Sequence, residues 1–238
     1  MRIVVITDVH ANLPALEATL ESIRTEGYDA IFHIGDVIAI GPHPAECLEL
    51  LLNTPNTQFV MGNHESYFLD GLPTPQPAWM SDGEVQHQHW THSRLDPQMR
   101  PALGEWPYVL ERDFEGVKTA FVHYGLKPSG QDFQPVIRDA TATDLDRMFA
   151  SFDATLVFYG HDHRKSDVKG RARYINPGSL GCYSQAIARY CVVEFHRGQY
   201  RVEHCGAPYD DAALLKAFER RSVPERKFIY RAFFGGRF

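Results

Sequence analysis

The chain has 238 residues, 44% hydrophobic and 23% charged, which suits one sizeable core and leaves no apolar run near the ~18 residues a membrane span requires. Its 24 basic residues against 30 acidic give a net charge of −6, which argues against the broad basic surface that holds a nucleic-acid polymer. Four cysteines without C-x-x-C spacing indicate reduced thiols in a cytoplasmic protein, not a disulfide scaffold.

Ile3 to Ile6 reads as a first buried strand. Leu13 to Arg24 carries Leu13, Leu16, Leu20 and Ile23 at helical spacing, with Pro14 tolerated in the first turn. Ala30 to Ile34 is a second strand, Ala45 to Leu52 a second helix and Gln58 to Met61 a third strand, so the chain opens as βαβαβ. Gly71 to Pro77 is loop, and Glu84 to Leu95 is a helix bearing His87, His89 and His92. Tyr108 to Arg112 and Lys118 to Val122 form a hairpin around Glu115-Gly116. Further strands are expected at Ala154 to Tyr159, Tyr174 to Ile175, Tyr190 to Phe195 and Tyr200 to His204. Asp210 caps a helix reaching about Arg221, and Ser222 to Glu225 has capping-box spacing before a final helix stopped by Gly235-Gly236. Without a linker or repeat, one α/β domain spans 1–238. Its C-terminal helices occupy 209–238, and 66–106 interrupts the alternation.

The polar residues sit where the predicted strands end. Asp8 and His10 follow the first, Asp36 the second, Asn63 and His64 the third, His123 the strand ending at Val122, and His161 with His163 the strand ending at Tyr159. Groups at successive strand ends converge on one sheet edge. Residues two apart in an extended segment share a face, so Asp8 pairs with His10 and His161 with His163. Taken singly, any of these is more often turn chemistry; the argument rests on the ordered set.

Imidazoles, carboxylates and an amide oxygen without thiolate suit Mn, Fe, Co, Ni or Zn better than Ca or Mg. Seven candidates exceed one tetrahedral site, whereas two divalent ions bridged by a carboxylate would use Asp8, His10, Asp36, Asn63, His123, His161 and His163 together. Two aspartates cancel only part of that positive charge, which leaves the site attractive to phosphate in an otherwise acidic protein.

Asp8-Val9-His10, Gly35-Asp36, Gly62-Asn63-His64-Glu65, His123 and Gly160-His161-Asp162-His163 resemble, in order and spacing, the signature of the calcineurin-like metallophosphoesterase superfamily. The resemblance runs from Met1 to about Gly181 and is greatest to small prokaryotic phosphoesterases. It implies a metallophosphatase-like, four-layer αββα sandwich of two mixed β-sheets flanked by helices. It also implies two divalent transition-metal ions, manganese first, with Asp8, His10, Asp36 and His163 on one and Asp36, Asn63, His123 and His161 on the other. Asp36 would bridge, and the shared hydroxide would attack a phosphomonoester or phosphodiester in line. His64 would face the substrate and assist the leaving group.

The sequence departs from the pattern at Ala11, at Asp162, at Tyr124 after His123, and at Ala39-Ile40 after Gly35-Asp36. That last segment lacks the Asp-Arg-Gly ending of protein phosphatases and diadenosine tetraphosphatases.

Asn12 and Arg164 flank ligand motifs and are candidates to touch the substrate phosphate, with capping or surface roles as the competing assignments. His33 reads as a core histidine and 84–95 as a solvated helix or lid. Asn176-Pro177-Gly178-Ser179 is balanced between turn and substrate contact. Phe228, Ile229, Tyr230, Phe233 and Phe234 are expected to dock on the domain's own core. The expected partner is a small phosphate ester, selected by a wall at 66–106; the oligomeric state stays open. The competing functions are a metallophosphatase-fold interaction scaffold, as in a retromer subunit, and a nuclease. An intact ligand set with His64 argues against the first, and the lack of a basic channel against the second.

Overall fold

The computed structural model describes residues 1–236. The last two positions of the predicted C-terminal region, 237 and 238, lie outside the described residues.

Ile3 and Val5 point to one side of the first strand and Val4 and Ile6 to the other, because side chains alternate along a strand; all four are buried, in two different clusters. That strand, β1 (Arg2–Ile6), is therefore covered on both faces. It pairs in parallel with β2 (Ala30–His33), which pairs in parallel with β3 (Thr57–Phe59). The long antiparallel hairpin β9 (Ile187–His196) and β10 (Gln199–Pro208) completes a five-stranded mixed sheet in the order β10-β9-β1-β2-β3.

The second sheet is β4 (Val109–Phe114), β5 (Val117–Val122), β6 (Leu156–Phe158), β7 (Ser166–Lys169) and β8 (Arg173–Asn176), in the order β4-β5-β6-β8-β7. Here β5, β6 and β8 run parallel, with antiparallel strands at both edges.

The sheets face each other across an aromatic layer in which Phe32 stacks on Phe121 at 4.1 Å and Phe114 on Phe195 at 4.6 Å. Helices α1 (Leu13–Glu26) and α2 (Pro44–Leu52) cover the outer face of the first sheet through Leu16, Ile23, Leu48 and Leu51. Helix α6 (Ala142–Met148) covers the second through Leu145 and Met148. The expected four layers are present.

Between β3 and β4, residues 66–106 fold into most of α3 (Asn63–Asp70), then α4 (Asp82–His92), a 3-10 turn at Pro97–Met99 and α5 (Arg100–Gly104). Of these, only α4 is anticipated by the sequence pattern; β7 and α6 are likewise absent from it. They are short and carry little periodicity.

The C-terminal helices α7 (Asp211–Arg220) and α8 (Arg226–Phe233) pack on Ile40 and Cys182. Asp210 caps α7 as expected, accepting from the backbone N–H groups of Ala212 and Ala213. The anticipated capping box before α8 does not form. Glu225 takes a left-handed conformation, φ 60°, and its side chain lies over Gly83 in the first turn of α4. Ile229, Tyr230 and Phe234 are buried as expected, but Phe228 is 55% exposed.

Candidate metal centre

The carboxyl ends of β1, β2 and β3 in one sheet and of β5 and β6 in the other meet at one place. There the His161 N–H donates to both carboxylate oxygens of Asp8 (3.1 and 3.2 Å), and His123 Nε2 lies 3.2 Å from Asn63 Oδ1. All seven candidates are brought together.

The backbone reaches this arrangement by a route that the extended-segment argument did not anticipate. Asp8, His10, Asp36, His161 and His163 have φ between 47° and 71°, in the left-handed region. Non-glycine residues enter that region at a cost of about 1–3 kcal/mol each. The paired side chains therefore converge through tight turns after the strands, not through a shared face of a strand.

What holds the turns is a set of buried clamps. The Glu65 carboxylate, 0% exposed, accepts from the N–H groups of Asp36 (2.8 Å), Val37 (2.8 Å) and Ile38 (3.2 Å). Burial and the Asp36 charge push its carboxyl up, and those three donors offset the cost. Ser179 Oγ donates to the Asp8 carbonyl (2.7 Å) while accepting from the Cys182 N–H (2.8 Å). Arg189 donates to the carbonyls of His163 (2.8 Å), Cys182 (3.2 Å) and Ser179 (3.2 Å). Gly62 admits no side chain, since a Cβ would stand 2.3 Å from both the Asp36 nitrogen and its Oδ1.

Within this frame the site is crowded with hydrogen-bond acceptors, atoms whose lone pairs could also hold a cation. His10 Nδ1 donates to the Ile38 carbonyl (3.3 Å) and His123 Nδ1 to the Ile34 carbonyl (2.9 Å), so in the neutral rings both Nε2 atoms present lone pairs. His10 Nε2 faces His163 Nε2 at 2.8 Å, with Asp8 Oδ1 at 3.7 Å. His123 Nε2 lies 3.2 Å from each of Asn63 Oδ1, His161 Nδ1 and Asp36 Oδ2, and the same Asp36 oxygen is 3.9 Å from His10 Nε2. Acceptors this close repel one another unless protons or cations sit between them, and the donor set of N and O atoms fits transition metals.

The titration behaviour agrees. Burial, reinforced by the Asp36 charge and partly offset by His123, pushes Asp8 up to about 7. Burial would lower His123, but the Asp36 carboxylate and then Asp8 hold it up at about 9. Burial opposes ionisation of Asp36 as well, yet His123, His64 and His10 hold it well below the usual carboxylate range. Burial drives His161 and His163 to about 3 and His10 down too, which keeps these rings neutral, the form that ligates.

His64 stands at the rim, its Nε2 3.9 Å from Asp36 Oδ2, its backbone N–H bonded to Asp36 Oδ1 (3.1 Å) and its Nδ1 2.8 Å from Gln88 Nε2. Phe133 packs edge-on against His123 (5.2 Å), Tyr67 lies 5.9 Å from His64, and Phe233 lies 5.5 Å from His163. These rings form an aromatic surround to a polar centre.

Asn12 is not available to a substrate. It is 0% exposed; its Oδ1 caps α1 by accepting from the Ala15 N–H (3.2 Å) and its Nδ2 donates to the Gly181 carbonyl (2.8 Å). Arg164 pairs with Asp139 at the surface. His33 is a core residue packed on Phe59 and Trp106, its Nδ1 accepting from the Gly35 N–H (3.3 Å). Asn176 and Ser179 are fully buried, Asn176 donating to the Gly160 carbonyl, so the Asn-Pro-Gly-Ser turn is structural. Helix α4 is not a solvated helix: His87, Gln88 and Thr91 form a buried polar face, with His87 Nε2 accepting from the Ile40 N–H (2.8 Å) and Nδ1 donating to the Pro224 carbonyl (3.2 Å).

Glu65, Cys182, Arg189 and Gln88 escaped the sequence reasoning. Glu65 was visible as part of the Gly-Asn-His-Glu string, but a clamp on a loop 29 residues earlier leaves no local signal. Cys182 brings a sulfur within 4.8 Å of ligand nitrogens of His10 and His163, and it lacks any metal-type spacing.

Residues 1–198 match the family model of the calcineurin-like phosphoesterase superfamily domain. An uncharacterized protein of Methanocaldococcus jannaschii is 30% identical, with 94% of each chain covered. A symmetrical bis(5'-nucleosyl)-tetraphosphatase of Coxiella burnetii is 26% identical over 81% of this chain and 64% of its own length. Among solved structures, a metallophosphoesterase from Sphaerobacter thermophilus superposes with a TM-score of 0.74 at 27% identity, covering 97% of this chain and 98% of that one. A hypothetical protein from Pyrococcus horikoshii OT3 reaches 0.81 at 19% identity, covering 99% and 98%, and shows the same fold.

Proposed function

The chain belongs to the calcineurin-like phosphoesterase superfamily, and from that premise we propose that it is a dinuclear-metal hydrolase of a small phosphomonoester or phosphodiester. The observation that carries this reading is Asp36. One of its oxygens lies 3.2 Å from His123 Nε2 and 3.9 Å from His10 Nε2, between the two clusters of ligand atoms. Asp8, His10, Asp36 and His163 would hold one ion, and Asp36, Asn63, His123 and His161 the other. When bound, the ions supply Lewis acidity: they acidify a water towards a pKa of about 7 and polarise the phosphoryl oxygens.

The remaining work falls to the chain's own residues. The Glu65 clamp fixes Asp36 in its left-handed turn, so a ligand that bridges does not need to reorganise. His64, outside the ligand set and with Nε2 directed at the same space, offers a hydrogen to the leaving oxygen. The aromatic surround limits water and favours a substrate with an apolar or planar part. Segment 66–106, through Tyr67 and α4, acts as one wall of a single-domain site. The four free cysteines suit a reducing, cytoplasmic setting.

The test is metal analysis joined to turnover. Protein treated with Mn, Fe, Zn, Ni or Co is expected to hold about two ions and, with manganese first, to hydrolyse aryl phosphates. Mononucleotides, cyclic nucleotides and dinucleoside polyphosphates, the last prompted by the Coxiella relative, then narrow the ester. Two ions retained with no turnover of any ester would overturn the hydrolase and favour the interaction scaffold.

A further inference from the structure

Gln88 occupies a position that packing alone does not explain. It is 1% exposed on the inner face of α4, and its Oε1 has no hydrogen-bond partner among the described residues. Its Nε2 is 2.8 Å from His64 Nδ1. A buried amide left half unsatisfied costs stability, and a leucine of similar volume would avoid that cost. The bond to His64 is the contact that gives the amide a use.

We infer that Gln88 is a positioning residue that fixes the ring plane and tautomer of His64, so that the ring's hydrogen sits on Nε2 and points at the leaving oxygen. The reading rests on the hydrolase function proposed above. Nδ1 and Nε2 of a neutral imidazole hold one hydrogen between them. An amide N–H donated to Nδ1 makes that atom the acceptor and leaves the hydrogen on Nε2, the atom 3.9 Å from Asp36 Oδ2. The ring then assists departure by donating a hydrogen bond.

Asp36 Oδ2, 3.9 Å from Nε2, favours the hydrogen on the same atom; the remaining contacts of His64 are edge-on rings, His10 at 5.3 Å and Tyr67 at 5.9 Å, which bound its rotation but cannot choose between tautomers. Helix α4 is itself registered against the site. His87, adjacent to Gln88, accepts from the N–H of Ile40, in the strained turn that follows Asp36, and donates to Pro224. The helix thus carries two neighbouring contacts, one to the ligand-bearing turn and one to the hydrogen-bond donor, and sets the distance between them.

The experiment compares wild type, Gln88→Leu, His64→Ala and the double variant, each zinc-loaded. Imidazole nitrogen NMR of the diamagnetic protein is expected to show His64 with a bare Nδ1 and a protonated Nε2, and Gln88→Leu to turn this into a tautomer mixture without lowering Tm or metal content. On aryl phosphates, Gln88→Leu is expected to lose about tenfold or more in kcat on the phenyl ester, whose leaving group is basic, and roughly threefold or less on the p-nitrophenyl ester. KM should hold, and no further loss should appear in the His64→Ala background. Unchanged nitrogen shifts in Gln88→Leu, equal losses on both esters, or a loss that adds in full to that of His64→Ala would each overturn the inference. Because the NMR measurement needs no turnover, failure of the hydrolase reading leaves the Gln88 result decided on its own.

Discussion

The turns that carry the candidate ligands and the helix that leans over them, α4, are both buried and both polar, yet they are held in opposite ways. Each turn is gripped more than once: the Asp36 turn by three bonds to the Glu65 carboxylate, Asp8 by Thr7, Ser179 and His161, and the His163 carbonyl by Ser179 and Arg189. On the inner face of α4, Gln88 Oε1, Thr91 Oγ1 and His92 Nε2 have no hydrogen-bond partner among the described residues. The ligand turns are strained and need redundant clamps to stay in the left-handed region. The helix supplies orientation through single contacts and carries the residual cost. The ligand geometry should therefore resist change until a clamp breaks, whereas the wall should be easy to alter without unfolding.

The largest effects are expected at Asp36 and His64. Asp36→Asn is expected to lose both ions and all measurable turnover, while His64→Ala keeps the ions and loses about 10²–10⁴-fold in kcat. Elemental analysis beside kinetics separates the two, and equal metal loss in both would place His64 among the ligands.

The redundancy of the clamps is tested next by Glu65→Gln, which sets an amide NH₂ against backbone donors. It should destabilise the fold by about 2–3 kcal/mol in denaturant unfolding and weaken metal binding roughly 10–100-fold. A variant as stable as wild type would mean the turn does not depend on Glu65.

A smaller effect concerns protons. Asp8 at about 7 and His123 at about 9 are both raised, so each binds a proton that a cation must displace, whereas the lowered His10, His161 and His163 contribute none. Metal affinity should rise with pH through that window, with roughly two protons released near pH 6 and roughly one near pH 8, read by calorimetry in buffers of differing ionisation heat. Release that does not depend on pH would contradict the assignment. The smallest effect is that of Asn12→Ala, expected to cost about 1 kcal/mol as a lost helix cap and to leave KM unchanged. A raised KM would restore Asn12 to the substrate.

The candidate set that meets at the strand ends was legible because its members follow runs of apolar residues that read as buried strands: Ile3 to Ile6 before Asp8, Ala30 to Ile34 before Asp36, Thr119 to Val122 before His123. A continuous apolar run and strand-end placement are local properties, and local properties survive in a string of letters. The role of α4 was not legible. Its inward face, His87, Gln88 and Thr91, has the composition of a solvated surface, and it is buried only because Ile40, Pro224 and His64, 47, 137 and 24 residues away, supply partners. The capping box before α8 was not legible either: Glu225 turns left-handed and stands ahead of the helix, with its side chain over Gly83.

By itself, then, the sequence determined the α/β class, the family and which side chains end the strands, because hydrophobic periodicity and motif spacing are encoded within a few residues of each element; the four layers came with the family resemblance. Only the tertiary structure decided that these strand ends meet in left-handed turns, that Glu65 and Arg189 hold them, that the Asn12 amide is tied to the Gly181 carbonyl and that Gln88 reaches His64. Each of those outcomes depends on a hydrogen bond between distant segments, and such a bond has no local sequence signature until the two sheets close on each other.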